Sequence, residues 1–274
     1  MDKEQSIINL FSHRLNGDDG AILGEFCFSK DLFIEGVHFK KEWLSSYEIG
    51  AKAALVNLSD AFVMGAQPCY ALCALSLPKT MPMNEINALC AGLKEVCASY
   101  GVKIIGGDTT KGDKISISLS IIAKTKRPIL YRKRAKNGDF IAFSGELGNS
   151  LKGLKILQNG GFLPKNARFK KPVLRSNFIF LSARYLSSCM DISDGLVNDL
   201  PKLLKKHQRA RLNKILSKFE LLSGEEYEAL FTFSPKNKSK IQNIAKKCRL
   251  KLNIIGQVTN ARSNIPKFRA FSHF

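Results

Sequence analysis

Two aspartates in the second half of the chain lie close enough in sequence to share one ligand. In the stretch MDISDGL, residues 190–196, Asp191 and Asp194 lie on either side of Ser193. Apolar residues around this stretch predict a short buried segment that runs into an amphipathic helix, with the polar side chains at the helix entrance. Closely spaced carboxylates hold hard cations such as Mg²⁺, which prefer oxygen ligands and often share them with phosphate. Taken alone, the stretch is explained equally well as a helix cap.

The first half of the chain supplies further acids at the ends of predicted elements. Asp18 and Asp19 lie in a glycine-flanked turn, a position that ordinary turn chemistry also explains. Asp31 lies in an extended stretch, and Asp60 lies near the end of a helix predicted for residues 47–63. Small neighbours of Asp60 allow close packing, which would bury its carboxylate unless a cation compensates the charge.

A pair of glycines precedes another acid. Residues 102–105 predict a strand that leads directly into Gly106, Gly107 and Asp108. Paired glycines let backbone amides approach a ligand closely, and Asp108 with the two threonines after it can position metal and phosphate oxygens. The lysine and the spacing of a Walker loop are absent from this motif.

The predicted elements divide the chain into two α/β halves. The first half alternates strands and helices, with its first strand region interrupted at Ser29, Lys30 and Asp31. A basic connector over residues 128–138 separates it from the second half, in which a basic helix is expected to continue from MDISDGL to Arg211. We therefore expect an N-terminal domain at residues 1–133 and a C-terminal domain at residues 134–274.

Charge is distributed unevenly along the 274 residues. Hydrophobic residues make up 45% of the chain, which is enough to bury a substantial core. The net charge is +20, and residues 131–274 carry 29 Lys and Arg against 9 Asp and Glu. Such a basic half could attract nucleic acid, a membrane surface or polyphosphate ligands, or be a solvated surface. No apolar run is long enough to cross a bilayer, and the first residues are not signal-like, so we expect a soluble cytoplasmic protein.

The seven cysteines are odd in number and lie mostly in apolar stretches. Cys69 with Cys73, or Cys90 with Cys97, is conceivable as a pair of zinc ligands. Their apolar neighbours favour reduced core residues instead.

Seven motifs occur in an order that resembles thiamine-monophosphate kinases: NGDDGAIL, SKDLFIEGVHF, NLSDAFVMGAQP, IIGGDTT, YRKRAKNGD, MDISDGL and SGEEYEALF. The resemblance spans nearly the entire chain. It implies an α/β (α+β) chain with the two-domain, aminoimidazole-ribonucleotide-synthetase-like ATP-binding fold. It also implies a homodimer in which the N-terminal sheet pairs with its copy.

The same resemblance implies a phosphotransferase whose acceptor is itself a phosphate group. The expected reaction is the ATP-dependent phosphorylation of thiamine monophosphate to thiamine diphosphate. Because both substrates carry phosphate charge, catalysis requires neutralisation and alignment, which several Mg²⁺ ions would supply. Direct in-line transfer is expected, with no residue acting as a covalent nucleophile.

By motif position, the resemblance assigns three groups of site residues. Metal positions are Asp19, Ser29, Asp31, Asp60, Asp108, Asp191 and Asp194. ATP-contact positions are Gly107, Asp108, Arg132 and Ser193, and contacts to thiamine monophosphate are His38, Glu225 and Phe268.

Four departures from the family pattern affect these assignments. Lys30 stands where threonine is usual, and an ammonium group cannot ligate a cation, so we exclude its side chain. Phe268 aligns with an aromatic position that is often tryptophan and offers less area for stacking. Glu226 replaces an aspartate, and the stretch between His207 and Ser223 is shorter than usual.

Two other functions compete with this interpretation. Another ATP-using synthetase of the same fold lacks the full motif combination, and the chain has neither a selenium-handling loop nor a C-terminal reactive cysteine. A basic nucleic-acid-binding module is less favoured, because the lysines are not interleaved with stacking aromatics. We therefore expect ATP and thiamine monophosphate as ligands, no membrane association and no specific nucleic acid.

Overall fold

The computed structural model describes residues 3–126 and 128–264. The first half contains α1 (Lys3–Leu10), β1 (Ala21–Leu23), β2 (Phe26–Ile34), α2 (Ser46–Val63), β3 (Ala66–Pro78), α3 (Met83–Ser99), β4 (Lys103–Gly112) and β5 (Ser116–Thr125). The second half contains β6 (Phe140–Ser144), α4 (Asn149–Gln158), α5 (Ser176–Ser182), β7 (Ser188–Asp191), α6 (Leu196–Lys202), β8 (Arg209–Leu212), α7 (Lys218–Leu222), β9 (Ala229–Phe233), α8 (Lys238–Lys247) and β10 (Leu252–Thr259).

The first sheet has the strand order β1-β2-β5-β3-β4 and is covered on one face by α2 and α3. Its strands are antiparallel except for β3 and β4, which run parallel. The two helices touch backbone to backbone, because a Cβ on Gly50 would lie 2.0 Å from the Leu89 carbonyl oxygen. This contact fixes α2 against α3, and α2 carries Asp60.

The other face of the first sheet is open and apolar. Large side chains that are 40–53% exposed project from two of its strands; they are Phe28, Leu32, Tyr70 and Leu72. β4 is one of the two edge strands of this sheet, and nine of its ten residues are exposed. An exposed apolar patch of this kind on a sheet marks an interaction surface.

The second sheet has the order β7-β9-β6-β10-β8 and is antiparallel throughout. Both faces are covered, so β7 and β9 are buried along their full lengths. Met190, Leu196 and Leu200 pack on one side, and Phe178, Phe231 and Ile241 on the other. This packing places the end of β7, with Asp191, inside the protein.

Two expected boundaries are wrong. β2 is not interrupted at Ser29–Asp31 but runs continuously and pairs with β5, because its polar side chains alternate between the two faces. The basic helix ends at Lys202 and not at Arg211, since Pro201 lies in its last turn and cannot donate a helical hydrogen bond. The chain then turns into β8.

In the described part of the chain, no helix has the length and apolar character to cross a bilayer.

Candidate active site

Three aspartates from distant segments converge on one point. Asp19 lies in the turn before β1, Asp60 in the last turn of α2 and Asp191 at the end of β7. One carboxylate oxygen from each lies within 4.8 Å of the other two. Asp19 and Asp191 are 7% and 2% exposed. The fold therefore concentrates negative charge in a largely buried position.

Burial raises the pKa of all three carboxyl groups above its ordinary value, and repulsion from neighbouring acids adds to this effect. Burial is the largest cause in each case, followed by Asp31 for the pKa of Asp60 and by Asp19 for the pKa of Asp191. For the pKa of Asp19, the opposing attraction of Arg132 is weaker than the effect of burial. One guanidinium beside three buried carboxylates leaves net negative charge at this point.

One carboxylate oxygen of the three aspartates is fully buried without a hydrogen-bond donor from residues 3–126 or 128–264. Arg132 Nε and Nη2 donate to Asp19 Oδ1, and the Ser59 hydroxyl donates to Asp191 Oδ2. Asp19 Oδ2 is buried and has no hydrogen-bond donor among the described residues. A buried carboxylate oxygen without a donor, next to two further carboxylates, fits a divalent cation with oxygen ligands.

β2 contributes two more of the expected metal positions. Asp31 lines the same cavity, and its backbone N–H donates to Asn57 Oδ1 at 3.0 Å. Ser29 is on the same face of the strand, where its Oγ is buried with no partner within the described ranges. Lys30 is on the opposite face, and its Nζ donates to Ser120 Oγ at 3.3 Å. The lysine side chain is therefore directed away from the aspartates.

The loop after β7 carries Ser193 and Asp194 into the cavity. Their backbone N–H groups donate to Asp199 Oδ2 at 3.1 and 2.9 Å. Lys202 Nζ bridges Asp199 Oδ1 at 3.0 Å and Asp194 Oδ2 at 2.5 Å. Burial raises the pKa of Asp199 to about 6 despite this lysine. Asp199 thus fixes the loop in the way a cap fixes a helix entrance.

His38 and Glu225 line the cavity on the side of the expected substrate contacts. His38 Nδ1 accepts a hydrogen bond from the Ile34 backbone N–H at 3.0 Å. Glu225 Oε2 lies 2.7 Å from Lys52 Nζ, and the backbone of Glu225 has a positive φ of 52°. Phe268 lies outside the described residues.

Gly107 and Asp108 lie apart from the other expected site residues. Both are exposed on β4, three strands from β2, which corresponds to a separation of about 14 Å across the sheet. A Cβ on Gly107 would lie 1.6 Å from the Cys73 carbonyl oxygen, so this glycine permits close pairing with β3. Asp108 Oδ1 accepts from the Thr109 backbone N–H at 2.8 Å. Neither residue lines the cavity of its own chain.

The cavity that joins these residues has a volume of about 650 Å³. The aspartates and Arg132 form one part of its wall, and Phe39, Trp43 and Phe169 form an aromatic part. A nucleotide phosphate and an organic ring can therefore be held in one space. A neighbouring cavity of about 700 Å³ shares Lys40, Trp43 and Gln158 but none of the three converging aspartates.

Three residues that position the site are not identified from the sequence. Asp199 follows Asp194 by five residues in a helix and has the pattern of an ordinary first-turn acid. Ser59 is adjacent to Asp60, but only the packing of α2 against β7 shows that it bonds Asp191. Lys52 interrupts the apolar pattern of α2, and this interruption was the available signal.

Acidification of the metal-free protein from about pH 8 towards pH 4 should raise its stability. The three aspartates have a higher pKa in the folded chain than the ordinary 3.8, so the folded state binds protons more tightly than the unfolded state. The protons bound to these carboxyl groups stabilise the folded chain fully at low pH. This stabilisation is lost as the pH rises through the pKa values of the folded state. Melting temperatures in EDTA at constant ionic strength measure this effect.

Mg²⁺ should raise the melting temperature more at pH 8 than at pH 6, because the ion competes with protons for the carboxylates. A melting temperature that falls on acidification over this range, with the same effect of Mg²⁺ at both pH values, would contradict the assignment of the charge to this cluster.

Comparison with known proteins agrees with the motif order. Residues 17–125 match the family described as AIR synthase related protein, N-terminal domain. The thiamine-monophosphate kinase of Buchnera aphidicola subsp. Schizaphis graminum is 32% identical over 280 residues, which cover 91% of this chain and 85% of that protein.

Solved structures extend the similarity to the full fold. AaThiL complexed with AMPPCP and TMP superimposes with a TM-score of 0.87 at 26% identity, covering 99% of this chain and 96% of that one. The hydrogenase maturation protein HypE in complex with ATP gives a TM-score of 0.72 at 17% identity, covering 92% of this chain and 83% of that one, which shows the common fold alone. With 32% identity over nine-tenths of its length, the chain belongs to the thiamine-monophosphate kinase family.

Proposed function

We propose that the chain transfers the γ-phosphoryl group of ATP to thiamine monophosphate, yielding thiamine diphosphate and ADP. The observation that carries this proposal is the convergence of Asp19, Asp60 and Asp191 in a cavity that also contains His38 and Glu225. The similarity to AaThiL complexed with AMPPCP and TMP supports the identity of the two ligands. The reaction needs a site that neutralises phosphate charge beside one that holds an organic ring, and the cavity offers both.

Magnesium is the cation that best fits the donor set. We propose that Asp19, Asp60 and Asp191 hold it, with Asp31, Ser29 and Asp194 at neighbouring positions for further ions. These donors are all oxygens, and the orphaned Asp19 Oδ2 needs a positive partner. When bound, Mg²⁺ would neutralise phosphate charge and help align the transferred group.

The protein's own side chains prepare the reacting groups. Arg132 holds Asp19 through Nε and Nη2, and a guanidinium has five N–H donors, so the remaining donors are available for the proposed contact to ATP. Ser193 is kept in place by Asp199 and is proposed to contact the nucleotide. A phosphate oxygen of thiamine monophosphate already carries negative charge, so direct in-line attack requires neither a protein nucleophile nor a strong base.

We further propose a homodimer in which the open faces of the N-terminal sheets pair. The exposed side chains of Phe28, Leu32 and Tyr70 support this, because a partner sheet would remove them from water. A dimer would also give Gly107 and Asp108 a role, since the partner's cavity can receive residues that do not reach the cavity of their own chain. The proposed domains remain residues 1–133 and 134–274, with the cavity between them.

A cytoplasmic location is part of the proposal. All seven cysteines are free thiols, as is usual in a reducing compartment. The site requires ATP, which is made and used in that compartment.

Incubation of the purified chain with ATP, Mg²⁺ and thiamine monophosphate tests the proposed activity. We expect thiamine diphosphate and ADP in equal amounts, identified by mass, and no product when EDTA replaces Mg²⁺. Thiamine without its phosphate is the matched control substrate and should give no diphosphate. Absence of thiamine diphosphate from a folded preparation that binds ATP would reject the proposal.

A further inference from the structure

A lysine is buried completely at the back of the substrate side of the cavity. Lys52, in the second turn of α2, has a side chain with 0% exposure. Its ammonium lies 3.9 Å from the ring centroid of Phe169 and 5.6 Å from that of Phe33. Lysine is almost never fully buried without a partner, because removal of an ammonium group from water is costly.

The partner of this lysine is Glu225, which belongs to the other half of the chain. Lys52 Nζ lies 2.7 Å from Glu225 Oε2. Glu225 lines the cavity and its side chain is 22% exposed, whereas Lys52 does not line the cavity. The lysine therefore holds the carboxylate from behind and leaves it accessible to a ligand.

The backbone of Glu225 is fixed as firmly as its side chain. Its N–H donates to the Ser193 carbonyl oxygen at 2.7 Å, and its φ of 52° is uncommon for a residue with a side chain. Such a conformation persists only where the surroundings determine it, and it is enriched at functional sites. Glu226 next to it is buried and accepts from the backbone N–H groups of Gly148 and Ser150.

We propose that Lys52 is a positioning residue that orients the Glu225 carboxylate toward the positively charged ring of thiamine monophosphate. This inference rests on the proposed function. The thiazolium ring carries a fixed positive charge, and an oriented carboxylate attracts it at close range. Aromatic rings around Lys52 leave Glu225 as its ionic partner, so the ammonium restricts the rotamers of the glutamate. ATP is bound at the aspartate side and does not depend on this pair.

A purely structural ion pair would behave differently from a positioning pair. Apolar residues can replace both members of a buried ion pair with little loss of stability, whereas removal of one member is costly mainly when the remaining charge stays buried. Lys52→Met keeps the length of the side chain and leaves Glu225 accessible to water. We therefore expect its melting temperature to stay within a few degrees of that of the wild type, because water can solvate the remaining carboxylate. The substrate affinity should nevertheless fall.

Steady-state kinetics of four variants test the proposal. Lys52→Met should raise KM for thiamine monophosphate about tenfold, while KM for ATP stays within about twofold and kcat within about threefold. In the Glu225→Gln background the same substitution should have almost no further effect, because the two residues act as one unit. Lys170→Met is the matched control. Lys170 joins the same region to α2 by pairing with Glu48 at 3.2 Å, and its loss should leave KM for thiamine monophosphate unchanged.

Three results would overturn the proposal: an unchanged KM for thiamine monophosphate in Lys52→Met, an equal rise in both KM values, or an undiminished effect in the Glu225→Gln background. If Lys52→Met does not fold, Lys52→Gln replaces it, with an expected rise of about threefold. A wild-type chain that does not phosphorylate thiamine monophosphate rejects the proposed function itself, and the positioning role with it.

Discussion

Replacement of Asp191 by asparagine lowers kcat on the order of 10³-fold while the protein remains folded. Asparagine keeps the shape of the side chain and can still accept the hydrogen bond from Ser59. It removes one of the three negative charges that converge with Asp19 and Asp60. The substitution should therefore slow the chemical step and raise the Mg²⁺ concentration that the enzyme requires. Initial rates across a magnesium titration measure both effects.

The same substitution should stabilise the protein when no metal is present. Burial and, after it, repulsion from Asp19 raise the pKa of Asp191 well above its ordinary value, so its ionised form is unfavourable in the fold. Removing this charge should raise the free energy of unfolding at pH 8 by about 1 kcal/mol, which corresponds to a rise of roughly 2–4 °C in melting temperature. A variant that is both less stable in EDTA and nearly fully active with limiting Mg²⁺ would remove Asp191 from the cation site.

A heterodimer of two inactive variants should regain activity if Asp108 acts in the partner's cavity. Asp108→Asn and Asp191→Asn each abolish turnover as homodimers in this account. Their heterodimer contains one site with both substitutions and one site with none, so it should have about half of the wild-type rate. Subunits with two different affinity tags allow the heterodimer to be purified and assayed.

The matched control combines Asp60→Asn with Asp191→Asn. Both residues belong to the same cavity of the same chain, so each site of that heterodimer carries one substitution and should stay inactive. If the Asp108→Asn and Asp191→Asn heterodimer is equally inactive, Asp108 acts within its own chain or has no role. A monomer in solution at assay concentrations would exclude the arrangement altogether.

Sequence patterns predicted most elements because local hydrophobic periodicity determines them. The helix predicted for residues 47–63 is α2, one residue longer, and the strand predicted for residues 102–105 is the start of β4, which continues to Gly112. The extent of β2 was mispredicted because its polar residues suggested a break, although pairing with β5 satisfies the backbone there. α6 was predicted too long because its basic residues are strong helix formers, but Pro201 ends the helix.

The residues of the site could be predicted from the sequence where they lie in a single motif. Asp19, Asp60 and Asp191 each occur in a recognisable motif, and their approach to one another is a finding of the structure. The role of Lys52 depends on a contact between distant segments, and that of Asp199 depends on the conformation of the loop before its helix; local patterns encode neither. The location of Asp108 on the far edge of the sheet is likewise a property of strand order.

The basic second half is partly explained by ion pairs inside the protein. Arg168 and Arg175 both contact the buried Glu228, and Lys202 contacts Asp194 and Asp199. The two arginines compensate a buried acid, and the half-exposed Lys202 compensates a buried and a half-buried one. They reduce the share of the positive charge that could attract a nucleic acid.

The fate of the transferred phosphoryl group is the most direct test of the central claim. ATP labelled with ¹⁸O in its γ-phosphoryl oxygens is incubated with the chain, Mg²⁺ and unlabelled thiamine monophosphate, and the products are analysed by mass spectrometry. We predict that the label appears in the terminal phosphate of thiamine diphosphate, with unlabelled ADP as the other product. Label in free phosphate without labelled thiamine diphosphate, or release of AMP, would contradict direct transfer to thiamine monophosphate in this cavity.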